Sequence, residues 1–246
     1  MELEENALRR RFAELSRRAA TRNMDTFTPF LTLAEQSILL SMERQLELPP
    51  RWLGGYPGAE RRLACFSPND APEESPIVCL SVRPKGEKFA AALGHRDILG
   101  AIMGLGIKRE LIGDILPRDK GGYVFCLAEM ADYLCQNLTE VGRSSVLCTP
   151  CSPPEEISAP PEPCVLTAAS LRLDVFIAAV WKLSRSESQQ LFPKQLVFVN
   201  GRTVLSPGDT VREGDMVSVR GRGRFQLTEV LGETRKGRLR LSARIY

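Results

Sequence analysis

Three arginines, Arg220, Arg222 and Arg224, alternate with glycines directly before Phe225. Alternate residues of a strand share one face, so this spacing predicts a row of three guanidinium groups. Such a row can neutralise a polyanion, or it can be a solvated edge strand that discourages aggregation. A second basic set, His95-Arg96 and Lys108-Arg109, brackets a predicted helix. Lys108 and Arg109 also suit the negative end of that helix's dipole. His95 is the only histidine, so a triad or metal cluster must do without a second imidazole. It reads instead as a helix cap or a phosphate contact. His95-Arg96-Asp97 has the letters of a kinase catalytic loop, but the glycine-rich loop, the strand lysine and Asp-Phe-Gly are missing. Gly104-x-Gly106 stands at a helix end, not after a strand, and is a poor nucleotide fingerprint.

The seven cysteines are Cys65, Cys79, Cys126, Cys135, Cys148, Cys151 and Cys164. Scattered through apolar segments, they read as reduced core thiols. Cys148-x-x-Cys151 has no second pair to complete a zinc ribbon. Pro150, Pro153 and Pro154 predict a loop there, whereas a redox pair usually opens a helix. No cofactor and no metal site is expected.

Charge is unevenly distributed. From Val165 to the C-terminus, 14 Lys and Arg face 7 Asp and Glu, while the preceding residues carry 19 against 23. A basic module on a mildly acidic remainder is the asymmetry of a polyanion binder. The 43% hydrophobic and 26% charged content is ordinary for soluble globular protein. No apolar run approaches the roughly 18 residues of a membrane span. The opening MELEENALRRRFAEL lacks an apolar signal core, so a cytoplasmic protein without membrane partners is expected.

These side chains must be held by ordered elements. Residues 1–75 read as a helical and α/β region. Leu8, Phe12, Leu15 and Ala19 form one helical stripe, and Thr32 with Glu35 makes a capping-box spacing before a second stripe of Ala34, Ile38, Met42 and Leu46. Residues 76–150 read as strand, helix, two strands, helix, strand, which is the ferredoxin-like plait. That fold fixes no function, and the aromatic pattern of an RNA-recognition motif is missing. Gly100 and Gly104 cost roughly 1 kcal/mol each inside a helix, and their spacing predicts a face open to close approach by a neighbouring backbone. Residues 151–164 read as a proline-rich tether without a core. In residues 165–246, Leu173, Phe176, Ile177 and Val180 mark a helix behind Ser170 as N-cap. Ser186 and Gln189 suggest a second capping box, Pro193 a stop, Leu196 to Val199 a strand, and Asn200-Gly201 a tight turn. The fold class is α+β.

Arg172-Leu173-Asp174, Ser184-Arg185-Ser186 and Val199-Asn200-Gly201 resemble the RNA-binding module of ribosomal small-subunit protein four. The resemblance implies two helices and a small antiparallel sheet. It also implies an RNA surface with Arg172 and Arg185 on phosphate, and Lys182, Lys194, Asn200 and Arg202 nearby. Gln195 stands where that family usually has glycine before the strand. A longer stretch is similar to the YlmH family: Gly54-Gly55-Tyr56-Pro57-Gly58-Ala59-Glu60-Arg61, then Gly94 through Arg109, then Ile112-Gly113-Asp114-Ile115. This second resemblance implies a non-enzymatic RNA-binding protein of ribosome-associated quality control, and a monomer is expected. Its expected partners are large-subunit ribosomal RNA and peptidyl-tRNA. Two rival readings stand beside it: an RNA-modifying enzyme or its targeting subunit, since such modules are often appended to RNA-modifying enzymes, and a pure interaction protein with a protein or acidic-membrane partner.

Overall fold

A computed structural model describes residues 2–69, 72, 74–86, 91–158 and 161–246. The chain divides into two compact units, Met1–Ala159 and Pro160–Tyr246. The N-terminal region and the plait, read above as separate domains, therefore belong to one unit.

The first unit opens with α1 (Glu2–Arg22), β1 (Thr26–Phe27), α2 (Leu33–Ser41), β2 (Arg51–Leu53) and β3 (Leu63–Phe66). The apolar stripe of α1 buries Phe12, Leu15 and Ala19, with Leu8 at its margin. The Thr32–Glu35 capping box is present: Glu35 N donates to Thr32 Oγ1 at 3.3 Å, and Thr32 N donates to Glu35 Oε2 at 2.7 Å. The buried face of α2 is turned from the expected stripe. Gln36 and Leu39 lie inside, whereas Ala34 and Ile38 are only partly covered and Met42 falls just past the helix end. Gln36 can be buried because its amide is satisfied. It donates to the carbonyls of Leu31 and Glu60, and it accepts both arms of the Arg62 guanidinium. The three strands form an antiparallel sheet in the order β1-β3-β2.

The plait follows as β4 (Ile77–Pro84), α3 (His95–Gly104), β5 (Ile112–Arg118), β6 (Gly121–Leu127), α4 (Ala128–Asn137), β7 (Glu140–Val141) and β8 (Ser144–Cys151). Its sheet runs β5-β6-β4-β8-β7, with neighbouring strands antiparallel. Leu80, Val82 and Val124 of the sheet pack with Ile98 and Ile102 of α3 and Leu134 of α4. Phe125 packs elsewhere: its ring centroid lies 4.9 Å from that of Tyr56. A Cβ on Gly113 would come within 2.7 Å of the Phe30 ring. Phe30 N also donates to Glu110 O at 2.8 Å. The N-terminal segment is thus seated on the plait by bare backbone and aromatic rings.

Two expectations about this unit are corrected. Residues 151–164 are not a core-free tether throughout. Cys151 still pairs with Cys79 of β4, and α5 (Glu155–Ser158) buries Ile157. Cys148 and Cys151 lie on strand β8, not in a loop, with the Cys151 and Cys79 sulfurs 3.7 Å apart. Burial pushes the Cys126 and Cys148 thiols up to about 12, which keeps them protonated.

The second unit comprises β9 (Cys164–Ala168), α6 (Leu173–Trp181), α7 (Arg185–Gln189), β10 (Val197–Val199), β11 (Arg202–Thr203), β12 (Met216–Val219), β13 (Gly223–Glu233) and β14 (Leu239–Ile245). These strands form one antiparallel sheet, β11-β10-β12-β13-β14-β9. Phe176 of α6 meets Phe225 of β13 at 4.6 Å between centroids, and Phe192, Val197, Val217 and Leu241 complete the core. The Asn200-Gly201 turn is left-handed at both positions, with φ 49° and 77°, as a two-residue hairpin requires.

Candidate nucleic-acid interface

The clearest side-chain constellation of the second unit surrounds Asp174. The N-cap of α6 is Arg172, not Ser170, and the helix start is satisfied from a turn. Leu173 N donates to Asp209 O at 2.8 Å, and Asp174 N donates to Pro207 O at 3.1 Å. The Asp174 side chain is 0% exposed, yet it touches two cations. Arg172 donates from Nε to Oδ1 at 3.0 Å and from Nη2 to Oδ2 at 3.1 Å, a two-armed contact. Arg185 approaches Oδ2 from α7 at 3.4 Å, and Gln189 Nε2 donates to the same oxygen at 2.9 Å. Ser188 Oγ donates to the Asp174 carbonyl at 2.7 Å. Burial pushes the Asp174 carboxyl up, but the hydrogen bonds from Arg172, Gln189 and Arg185, with the Arg172 charge, outweigh it and hold it at about 2.

The arginines themselves remain accessible, at 41% exposure for Arg172 and 63% for Arg185. Asp174 therefore sets the direction of both guanidinium groups without removing them from solvent. A guanidinium held on one side by carboxylate can offer its remaining N–H donors to phosphate. Nothing local in the sequence marks Asp174 and Gln189 as site residues. The Arg-x-Asp spacing was visible, but the convergence of α7 on the same carboxylate is tertiary.

The capping box of α7 is Ser184 with Glu187, not Ser186 with Gln189. Glu187 N donates to Ser184 Oγ at 3.2 Å, and Ser184 N donates to Glu187 Oε2 at 2.7 Å. Lys182 ends α6 in a left-handed conformation, φ 53°, and is exposed. Lys194 and Arg202 are also exposed. Gln195 takes φ 54°, so the backbone keeps the left-handed geometry for which glycine is the easier residue. Asn200 is engaged otherwise: its amide donates to Asp215 Oδ1 at 2.8 Å and accepts from Met216 N at 3.0 Å. It locks the hairpin to β12.

The predicted row of Arg220, Arg222 and Arg224 does not form. Gly221 and Gly223 adopt φ 82° and 111°, so Arg220 and Arg222 lie in the turn between β12 and β13, and only Arg224 is on a strand. Arg220 stacks over Phe198 at 5.5 Å and Arg224 over Tyr246 at 4.9 Å.

In the first unit, His95 and Arg96 begin α3 and are exposed, as is Lys108, while Arg109 is half-buried. Asp97 caps this helix by accepting from Gly94 N at 2.9 Å. Gly106 ends it at φ 79°. The expected close neighbour of Gly100 and Gly104 is not there: beyond the adjoining residues and the helix's own backbone, no described atom would lie within 4 Å of a Cβ at either position. Their face is open.

A plait and a paired-helix module, each presenting accessible cations, define a modular protein of the RNA-binding class. Family models agree, matching residues 77–153 as a putative RNA-binding domain in YlmH and residues 171–217 as an S4 domain. Ribosome-associated protein quality control protein P2 of Bacillus subtilis is 34% identical over 219 residues, covering 87% of this chain and 85% of that protein. The chain belongs to the YlmH family. A solved structure, the cell division protein ylmH from Streptococcus pneumoniae, superposes with a TM-score of 0.50 at 21% identity, covering 61% of this chain and 93% of that one. That likeness concerns the fold. Among the described residues, no helix is long and apolar enough to cross a membrane.

Proposed function

We propose that this protein binds ribosomal RNA and peptidyl-tRNA on the large ribosomal subunit, within ribosome-associated quality control, and catalyses no reaction itself. The observation that carries the RNA-binding part is the Asp174 cluster, which aims two accessible guanidinium groups from adjacent helix starts. The ribosomal assignment rests on family membership and on the name of the Bacillus subtilis relative. Arg172 and Arg185 supply the main phosphate contacts, and Lys182, Lys194 and Arg202 are further exposed cations of the same module. His95, Arg96, Lys108 and Arg109 supply a second contact from the plait. The open face at Gly100 and Gly104 supports this second site, because two helix glycines with no internal neighbour leave room for an external backbone.

Sedimentation with purified large subunits, with and without peptidyl-tRNA, tests the proposal, and crosslinked RNA fragments identify the contacts. Cosedimentation should weaken as salt rises, because each neutralised phosphate adds somewhat under one unit to the log–log slope. A chain that ignores large subunits at low salt, or whose association is indifferent to salt, contradicts the proposal.

A further inference from the structure

Among the described residues of the first unit, Asp114 is the buried carboxylate, and no guanidinium hydrogen-bonds it. It accepts from Tyr56 Oη at 2.7 Å, from Glu60 N at 2.7 Å and from Arg61 N at 3.0 Å. All three donors are uncharged. Around it stand cations whose own bonds go to carbonyls. Arg61 donates from Nε to Ile112 O at 3.1 Å and from Nη2 to Phe30 O at 2.9 Å. Arg109 donates from Nη1 to that same Ile112 carbonyl and to Gly113 O at 3.1 Å. A carbonyl satisfies a donor but cancels no charge. Two half-buried guanidinium groups thus converge on one carbonyl oxygen.

The neighbouring cations share this field. Burial and the Arg61 charge lower Arg109 to about 10, although Asp114 acts in the opposite sense. Partial desolvation beneath its exposed edge lowers His95 too, reinforced by Arg109 and Arg96 and opposed by Asp114. Glu35 faces Arg61 from α2. Arg62, by contrast, is committed to packing: it forks onto Gln36 and stacks over Trp52 at 5.2 Å.

We propose that Arg61, His95, Arg96 and Arg109 form one phosphate-binding site for an RNA backbone, with the buried Asp114 fixing the loop that carries Arg61. Arg61 is the new member, brought from the N-terminal segment to the plait by the Tyr56–Asp114 bond. The anion fits because, among the described residues, no carboxylate hydrogen-bonds the Arg61 or Arg109 guanidinium, whose N–H donors meet only carbonyls. A phosphodiester is the fitting ligand class: it is anionic, has two free oxygens and recurs along a chain that can also cover Gly100 and Gly104. This site rests on the RNA-binding reading above.

His95, as the only histidine, gives a single imidazole signal for the whole chain. The test follows its Cε1 proton by NMR in the full-length protein, with and without a short RNA hairpin. Without RNA the midpoint should lie below the ordinary histidine value of about 6.5. A phosphate arriving beside it should move the midpoint up by about one unit. Arg61→Gln and the exposed Arg96→Gln should each weaken hairpin binding about tenfold and reduce the salt slope by somewhat under one. Arg96→Gln disturbs no packing, so it holds the test open if Arg61→Gln unfolds. If the hairpin binds but the His95 midpoint stays put, or if Arg96→Gln binds like the parent, this site is wrong while the Arg172–Arg185 surface stands. If the full-length protein binds no RNA at low salt, both fail.

Discussion

Asp114 and Asp174 are both buried, and they use their carboxylates in opposite ways. Asp174 meets guanidinium groups, which hold it ionised at about 2. Asp114 meets a phenol and two backbone amides, and burial raises it despite those bonds and despite the Arg61 and Arg109 charges. The consequence falls on the arginines. In the second unit they are oriented by a counter-charge at hydrogen-bonding distance. In the first unit they are held by neutral oxygens and keep their charge uncancelled at contact. One arrangement favours aim, the other favours field.

The strongest way to break this contrast is Asp174→Ala. It removes the acceptor shared by two helices, and about 2–4 kcal/mol of stability should go with it in urea unfolding of the full chain. RNA binding should fall as well, since both guanidinium groups lose their direction. Acid unfolding sharpens the comparison. Asp174, with its lowered value, contributes stability that is present above the ordinary carboxylate range and lost as pH falls through about 2. Asp114, with its raised value, contributes most at low pH and less as pH rises through its own titration. The stability gap between parent and Asp174→Asn should therefore narrow with acid, while any gap to Asp114→Asn shifts in the parent's favour.

Arg185→Ala should cost about 1.5–3 kcal/mol of RNA affinity with little change in melting temperature, since the side chain is 63% exposed. Arg172→Ala should lose a similar affinity and also some stability, because the two-armed partner of a buried carboxylate is removed. Equal melting temperatures for the two variants would undo the orienting role given to Asp174. Gly100→Ala reads the first unit. Space for the methyl group is open, so the helix should gain up to about 1 kcal/mol, while subunit binding weakens if a backbone docks there. The smallest effect belongs to Gln195→Gly, which relieves a left-handed glutamine and should stabilise the second unit by roughly 0.5 kcal/mol.

Local signals in the sequence were sufficient wherever one element settles the matter. The Phe12–Leu15–Ala19 stripe, the Thr32–Glu35 box, the plait order and the Asn200-Gly201 turn depend on neighbours close in the chain. Failures came where two local patterns compete or where distant contacts decide. Ser184 and Ser186 each precede a Glu or Gln by three residues, and the fold uses the former pair. Glycines that look like spacers between arginines at 220–224 instead supply positive φ and turn the chain. Ile157 is a lone apolar residue in a proline-rich stretch, and only its burial reveals a short helix. Asp114 and Asp174 are single letters whose partners lie more than fifty and up to fifteen residues away.

The brevity of α7 bears on when this protein becomes able to work. A helix of five residues has no stability of its own, and α6, at nine residues, is marginal alone. Both depend on the sheet beneath them, and the Phe176–Phe225 contact reaches into β13. A nascent chain that has displayed Arg172 and Arg185 but not yet Phe225 therefore presents the right side chains on an unformed surface. On the proposed reading, the Arg172–Arg185 surface forms only once β13 has been made and packed, independently of the first unit.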